Sequence, residues 1–228
     1  GMFDISGSIL SLCYGGFTTF VSNLPDYFAK EIFKLNSYTG MNKPGNIFGY
    51  AFRFVQDIGK YAMYDMFYSS YNRCSSDFIM FDHVKKIDDY GCYKLFDSST
   101  LIGISVENIN YIGKHGCEYM FNGCNRIEND LNFNKLTFIG DDGCRAMFMS
   151  ADGQIGPYVQ NTYPITVSFP ALVQIGTRAF DTMFNGCALM EITLLIKDNN
   201  VTPLHQSQTY STFNNKKSLP KYLEDSLL

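Results

Sequence analysis

The sequence predicts an α/β solenoid of six repeats, and three features lead to that class. A ten-residue pattern recurs as LPDYFAKEIF from Leu24, IGKYAMYDMF from Ile58, IDDYGCYKLF from Ile87, IGKHGCEYMF from Ile112, IGDDGCRAMF from Ile139 and IGTRAFDTMF from Ile175. Each copy closes on Phe nine residues after its first, or anchor, residue, and a Val, Ile or Leu stands three before every anchor, from Val21 to Leu172. Self-similarity at roughly 20 to 50 residues is the signature of a solenoid. Within a copy, apolar residues recur at positions +4, +5, +8 and +9 from the anchor, as in Ala62, Met63, Met66 and Phe67. That spacing predicts one face of a short helix, with polar residues such as Lys114, Glu118 and Tyr119 facing solvent or at its edge. Upstream of the anchors, apolar residues alternate: Tyr50 and Phe52, Ile79 and Phe81, Ile104 and Val106, Leu131 and Phe133, Val167 and Phe169. Alternation predicts a half-buried strand. In each of these pairs the second residue sits three before the Val, Ile or Leu that precedes the anchor, so strand, turn and helix form one unit.

With 228 residues, 46% hydrophobic and 18% charged, the chain can bury a core. One structural domain is expected: an N-terminal cap over 1–20, the solenoid over 21–196 and a C-terminal cap over 197–228. Net charge of −4 without a Lys/Arg cluster argues against nucleic acid, which needs a basic face. No apolar run reaches about 18 residues, so no membrane span is expected. No basic region precedes an apolar stretch at the start, so no secretory signal peptide is visible.

The repeat also orders the cysteines. Of the seven, Cys92, Cys117 and Cys144 fall five after their anchors, and Cys124 and Cys187 twelve after theirs. Equivalent inward positions suit a small, buried hydrophobe, and no CxxC spacing points to a metal or redox site. Cys13 and Cys74 lie off the pattern.

Taken in order, Ile9 to Tyr14 reads as a cap strand or hairpin, because a solenoid end exposes its core unless an atypical segment covers it. The first copy replaces Ile-Gly with Leu24-Pro25, which a helix start tolerates. The longest spacing between anchors, 36 residues from Ile139 to Ile175, places an insertion at Met149 to Tyr163. Insertions in solenoids map to loops on one face, often the binding face, so Gln154, Tyr158, Gln160, Asn161 and Tyr163 are candidate recognition residues. After Ile192 and Leu194 the repeat breaks at Lys197-Asp198-Asn199-Asn200, and SLPKYLEDSLL reads as the closing cap.

An Ile-Gly start and Met-Phe close, then Asn-Gly-Cys and a short apolar strand, recur in MFNGCNRIENDLNF (Met120 to Phe133) and MFNGCALMEITL (Met183 to Leu194). This combination resembles the BspA-type leucine-rich repeats, over roughly residues 21 to 196. The resemblance implies a leucine-rich-repeat solenoid, with a parallel β-sheet along one side and short helices along the other. It further implies a role in adhesion or protein recognition, at the cell surface or outside the cell. It identifies no catalytic residue.

The residues themselves favour a chain that is not an enzyme and needs no cofactor or metal. His83, His115 and His205 are isolated, and a lone histidine lacks the nucleophile, base and orienting group of a site. Asp88-Asp89 and Asp141-Asp142 begin two of the expected helices, where carboxylates complement the helix dipole. Ile-Gly-x-x-Gly at Ile112 and Ile139 lacks the third glycine of a dinucleotide fingerprint. What remains is recognition of a protein or glycan. The strand face offers Ser105, Asn132, Ser168 and Thr193 as a small polar row. The alternative is a structural part, such as a virion appendage or oligomeric spacer, packing through Tyr61, Tyr64, Tyr68 and Tyr71. The sequence leaves the oligomeric state open.

Overall fold

The computed structural model describes residues 22–31, 52, 54–66, 81–98, 104–124, 130–149, 165–185 and 192–196. They contain nine strands: β1 (Asn23–Leu24), β2 (Asp57–Ile58), β3 (Lys86–Ile87), β4 (Tyr111–Ile112), β5 (Leu131–Asn132), β6 (Phe138–Ile139), β7 (Ile165–Phe169), β8 (Gln174–Ile175) and β9 (Ile192–Ile196). Each anchor and the residue before it form one two-residue strand. These six strands make a parallel sheet in the order β1-β2-β3-β4-β6-β8, so each copy lies beside the next. Anchor faces anchor throughout, from Leu24 opposite Ile58 to Ile139 opposite Ile175. A second parallel sheet, β5-β7-β9, comes from the alternating runs. Earlier alternating pairs contribute less: Ile104 forms a single bridge, and Phe52 and Phe81 lie in turns.

Among the described residues there is no helix, which corrects the helices expected after each anchor. The backbone there runs in turns with a period of four. In the third copy, the N–H groups of Tyr90, Cys92, Lys94 and Phe96 donate to the carbonyls of Lys114, Gly116, Glu118 and Met120 in the next copy, at 2.8–3.0 Å. The intervening N–H groups of Gly91, Tyr93 and Leu95 donate to carbonyls three residues back, at Asp88, Tyr90 and Cys92. An α-helix would bond every N–H four residues back within its own segment. Here alternate donors leave the segment, and every fourth residue turns left-handed: φ is 57° at Tyr90 and 53° at Lys94, and 55° at both His115 and Tyr119. L-residues adopt that region at a cost. The hydrogen bonds reaching forward from these same residues hold them there.

The period of four sends side chains in pairs, +4 and +5 into the core, +6 and +7 away from it, and +8 and +9 inward again, although Asp65, Glu118, Ala146 and Asp181 at +6 and +7 are still buried between copies. Inward pairs build the core: Ala62 and Met63, Leu95 and Phe96, Met120 and Phe121, Met147 and Phe148, Met183 and Phe184 are all buried. The closing phenylalanines stack copy on copy, Phe96 on Phe121 at 5.8 Å, Phe121 on Phe148 at 5.3 Å and Phe148 on Phe184 at 5.3 Å. Phe33 and Phe67 lie outside the described residues. Cys92, Cys117, Cys124 and Cys144 are buried free thiols, as expected. Desolvation pushes the thiols of Cys92, Cys117 and Cys144 far above their ordinary range. The fixed offset before the anchor has a direct cause. Val55, Val84, Ile109, Leu136 and Leu172 each donate their N–H to the carbonyl three residues back, on Phe52, Phe81, Val106, Phe133 and Phe169.

Neighbouring copies approach most closely at the glycine after the anchor. A Cβ on Gly176 would lie 2.4 Å from both the Asp141 nitrogen and the Gly140 carbonyl carbon. Only hydrogen fits there. The two caps, 1–20 and 197–228, lie outside the described residues, as do Cys13, Cys74, Cys187, Tyr68 and Tyr71.

Candidate binding surface

The polar row expected on the strand face is not one open surface. Ser105 is half-buried and lies outside both sheets. Asn132 in β5 faces Ser168 in β7, and the Ser168 hydroxyl donates to Asn132 Oδ1 at 2.7 Å. Ser168 is only 7% exposed. Thr193 in β9 pairs with Thr166, two residues short of the row, and Leu195 is the residue opposite Ser168. The register therefore sets Leu194 and Ile196, not Ile192 and Leu194, against Val167 and Phe169. Gln154, Tyr158, Gln160, Asn161 and Tyr163 lie outside the described residues.

A more continuous surface comes from the outward pairs of the turns, where equivalent side chains of successive copies stand in rows. At +3 the rings of Tyr27, Tyr61, Tyr90 and His115 stack in sequence, with centroids 5.0, 4.7 and 4.5 Å apart. At +6, Tyr64 stacks on Tyr93 at 4.7 Å. Tyr119 at +7 meets Tyr93 edge-on at 6.0 Å. Lys30 sits over the Tyr64 ring at 5.1 Å, and Lys94 over both Tyr93 and Tyr119 at 5.5 Å. Burial, with the Glu118 carboxylate nearby, pushes the Tyr93 phenol well up, so it remains neutral at physiological pH. Tyr61 and Tyr64, expected to be exposed, are half-buried by this stacking, whereas Tyr27 is 59% exposed.

In the last three copies the same rows carry charge. At +3 stand His115, Asp142 and Arg178; at +6 stand Glu118, Arg145 and Asp181. Arg145 Nη1 donates to Glu118 Oε1 at 2.8 Å, and Arg178 Nη2 to Asp142 Oδ2 at 2.9 Å. Arg145 Nε lies 3.5 Å from Asp181 Oδ2. His115 has Nδ1 2.5 Å from Glu118 and Nε2 3.9 Å from Asp142. Glu118 and Asp142 are each 3% exposed, although Glu118 was expected to face solvent or lie at a helix edge. Burial raises the Glu118 carboxyl above its ordinary value, and His115 and Arg145 pull it part of the way back. With a carboxylate at each ring nitrogen and Tyr90 stacked on its face, His115 belongs to an ion-pair lattice joining the fourth and fifth copies.

The acidic pairs also serve a different purpose from the expected one. Asp26, Asp89 and Asp141, all at +2, accept the backbone N–H of the +2 residue in the following copy: Lys60 at 2.8 Å, Lys114 at 2.9 Å and Thr177 at 2.8 Å. They cap copy against copy rather than a helix end. The charged and aromatic rows escape a reading made along the chain, yet they emerge when the copies are aligned on their anchors. Among the described residues no helix is long and apolar enough to cross a membrane. Comparison with protein-family models, curated proteins and solved structures returns no match to this chain.

Proposed function

We propose that this chain is a non-catalytic recognition module, a leucine-rich-repeat solenoid of the BspA type whose turn face takes a protein or glycan partner. The anchor-to-anchor register of the six-stranded sheet and the alternate N–H groups handed from copy to copy support the solenoid. Turns take the place that helices hold in the expected architecture. The observation that carries the function is the grouping of Tyr64, Tyr93 and Tyr119 with Lys30 and Lys94 at +6 and +7. Tyrosine offers a rigid, amphipathic contact with little entropy to lose, and interfaces are enriched in it. Stacking fixes these rings before any partner arrives, which lowers the ordering cost of binding.

The test is binding to an array of matrix proteins, cell-surface proteins and glycans, with two variants alongside: Tyr64→Ala/Tyr93→Ala, and a chain lacking residues 150–162. Circular dichroism and melting establish that each variant folds. Binding lost with the tyrosines supports the turn face. Binding that survives there but is lost with the loop moves recognition to the insertion. No binding by the parent chain rejects the recognition reading.

A further inference from the structure

We propose that two copies of this chain dock antiparallel through their +2 rows, about a twofold axis passing between Asp89 and Lys114. This goes beyond the recognition reading and does not depend on it, because Tyr64, Tyr93 and Tyr119 lie on a different outward pair. The row reads Asp26, Lys60, Asp89, Lys114, Asp141, Thr177, one residue per copy, with the sign alternating along its charged members. Its pitch is that of neighbouring strands, about 4.8 Å. Asp26, Lys60, Lys114 and Asp141 are exposed, and Asp89 is half-exposed.

An alternating row is complementary to itself when reversed. With the axis between Asp89 and Lys114, Asp89 of one copy meets Lys114 of the other, Lys60 meets Asp141, and Asp26 meets Thr177. Symmetry doubles each contact, giving four ion pairs in an isologous interface. Sliding by one copy sets Asp89 against Asp89 and Lys60 against Lys114, so that register is repelled. Sliding by two restores the signs but leaves two copies of each chain uncovered.

Two further observations favour a second copy as the occupant. The charges at +3 and +6 of the last three copies are matched inside the molecule, whereas of the five at +2 only Lys60 and Asp89 pair with each other. Lys60 lies 3.3 Å from Asp89, and among the described residues neither Lys114 nor Asp141 has an intramolecular ion pair. The aspartates are also held in place, since one oxygen of each accepts a backbone N–H of the next copy. Beside the row, the stacked rings of Tyr90 and His115 flank the axis.

Sedimentation equilibrium over a concentration series tests this with three proteins. The parent chain is expected to dimerise, and the dimer to weaken as salt screens the row. Lys60→Glu/Lys114→Glu makes the row uniformly acidic and is expected to weaken the dimer by at least about 100-fold, since like charges facing each other cost several kcal/mol. Asp26→Asn/Asp89→Asn/Asp141→Asn keeps an oxygen for each backbone N–H but leaves only lysine charges. Mixing these two variants is expected to give a heterodimer that the acidic variant cannot form with itself. A monomeric parent, an acidic variant that dimerises like the parent, or a mixture that stays unassociated would each overturn the proposal. All the substitutions lie on the surface, and unchanged melting confirms that an observed loss is not unfolding.

Discussion

Replacing Gly176 with alanine places a methyl group against backbone that has no rotamer with which to retreat. The new carbon would start 2.4 Å from the Asp141 nitrogen and the Gly140 carbonyl carbon and 2.8 Å from Asp141 Cα. Relief requires the fifth and sixth copies to part by roughly 1 Å, since overpacking is relieved only by moving neighbours. Two hydrogen bonds cross that gap, Gly176 N–H to the Ile139 carbonyl at 2.7 Å and Thr177 N–H to Asp141 Oδ1 at 2.8 Å. Overpacking costs about 1–3 kcal/mol, and each weakened bond forfeits part of about 0.5–1.5 kcal/mol. Against this, alanine stiffens the unfolded chain by about 0.4–1 kcal/mol. The net expectation is a loss of about 2–4 kcal/mol, or roughly 5–15 °C in melting temperature for a chain of this size. Gly123→Ala is the comparison. There φ is +60° and the nearest atom to a Cβ is the Ser98 hydroxyl oxygen at 3.3 Å, so the expected loss is the left-handed backbone penalty less the gain from a stiffer unfolded chain, about 1 kcal/mol. Urea titrations of the three proteins read both values. A loss below about 0.5 kcal/mol at Gly176, or a larger loss at Gly123, would refute the close approach of the copies.

The buried thiols predict a fall in stability with alkali. Burial raises their folded pKa, so the unfolded chain gives up its protons first; the contribution is complete below about pH 9, the ordinary thiol value, and is lost as pH rises beyond it. Each thiol's slope approaches about 1.4 kcal/mol per pH unit above the ordinary thiol value. Cys117→Ala should therefore remove about 1.4 kcal/mol in total from the loss measured by urea titration between about pH 8 and 10, and an unchanged loss would mean that Cys117 ionises in the folded protein. Removing Arg145 should leave Glu118 as a buried carboxylate with His115 beside it. Losing one partner of a buried pair costs about 3–5 kcal/mol, and with the Arg145 side chain 30% exposed about 2–3 kcal/mol is expected of Arg145→Met at pH 8. The loss should shrink toward pH 5, because burial raises the Glu118 carboxyl and makes it easier to neutralise. Adding Glu118→Gln should recover part of it, and strictly additive losses would show that the two side chains are uncoupled.

The copies, their buried positions and the inward thiols were legible in the sequence because burial repeats at fixed offsets from the anchor. The helix was misread for a related reason. Over ten residues, apolar side chains at +4, +5, +8 and +9 fit a 3.6-residue period as well as a four-residue one. A run of turns usually advertises its left-handed positions with glycine or asparagine. Here those positions hold Tyr61, Tyr90, His115, Asp142 and Arg178, of which only His115 and Asp142 are residue types enriched there. The six-stranded sheet was hidden because a two-residue strand has no alternation to detect. At β9 the run Leu194-Leu195-Ile196 is apolar on both faces, and alternation then cannot choose a register. Glu118 looked solvent-facing because its partner, Arg145, belongs to the following copy.

The alternation of sign along the +2 row constrains how such a chain can change length. Deleting the fourth copy would bring Asp89 beside Asp141 at +2, and at +3 it would remove the imidazole that separates Tyr90 from Asp142. Excising the third and fourth together would bring Lys60 beside Asp141 and keep the sign order intact. Adjacent members of the row also share a hydrogen bond in which an aspartate serves the copy that follows, so the odd copies act as donors of a cap and the even ones as recipients. Duplication or loss in this molecule is therefore compatible with the surface only by twos, and the unit that can be copied is a pair.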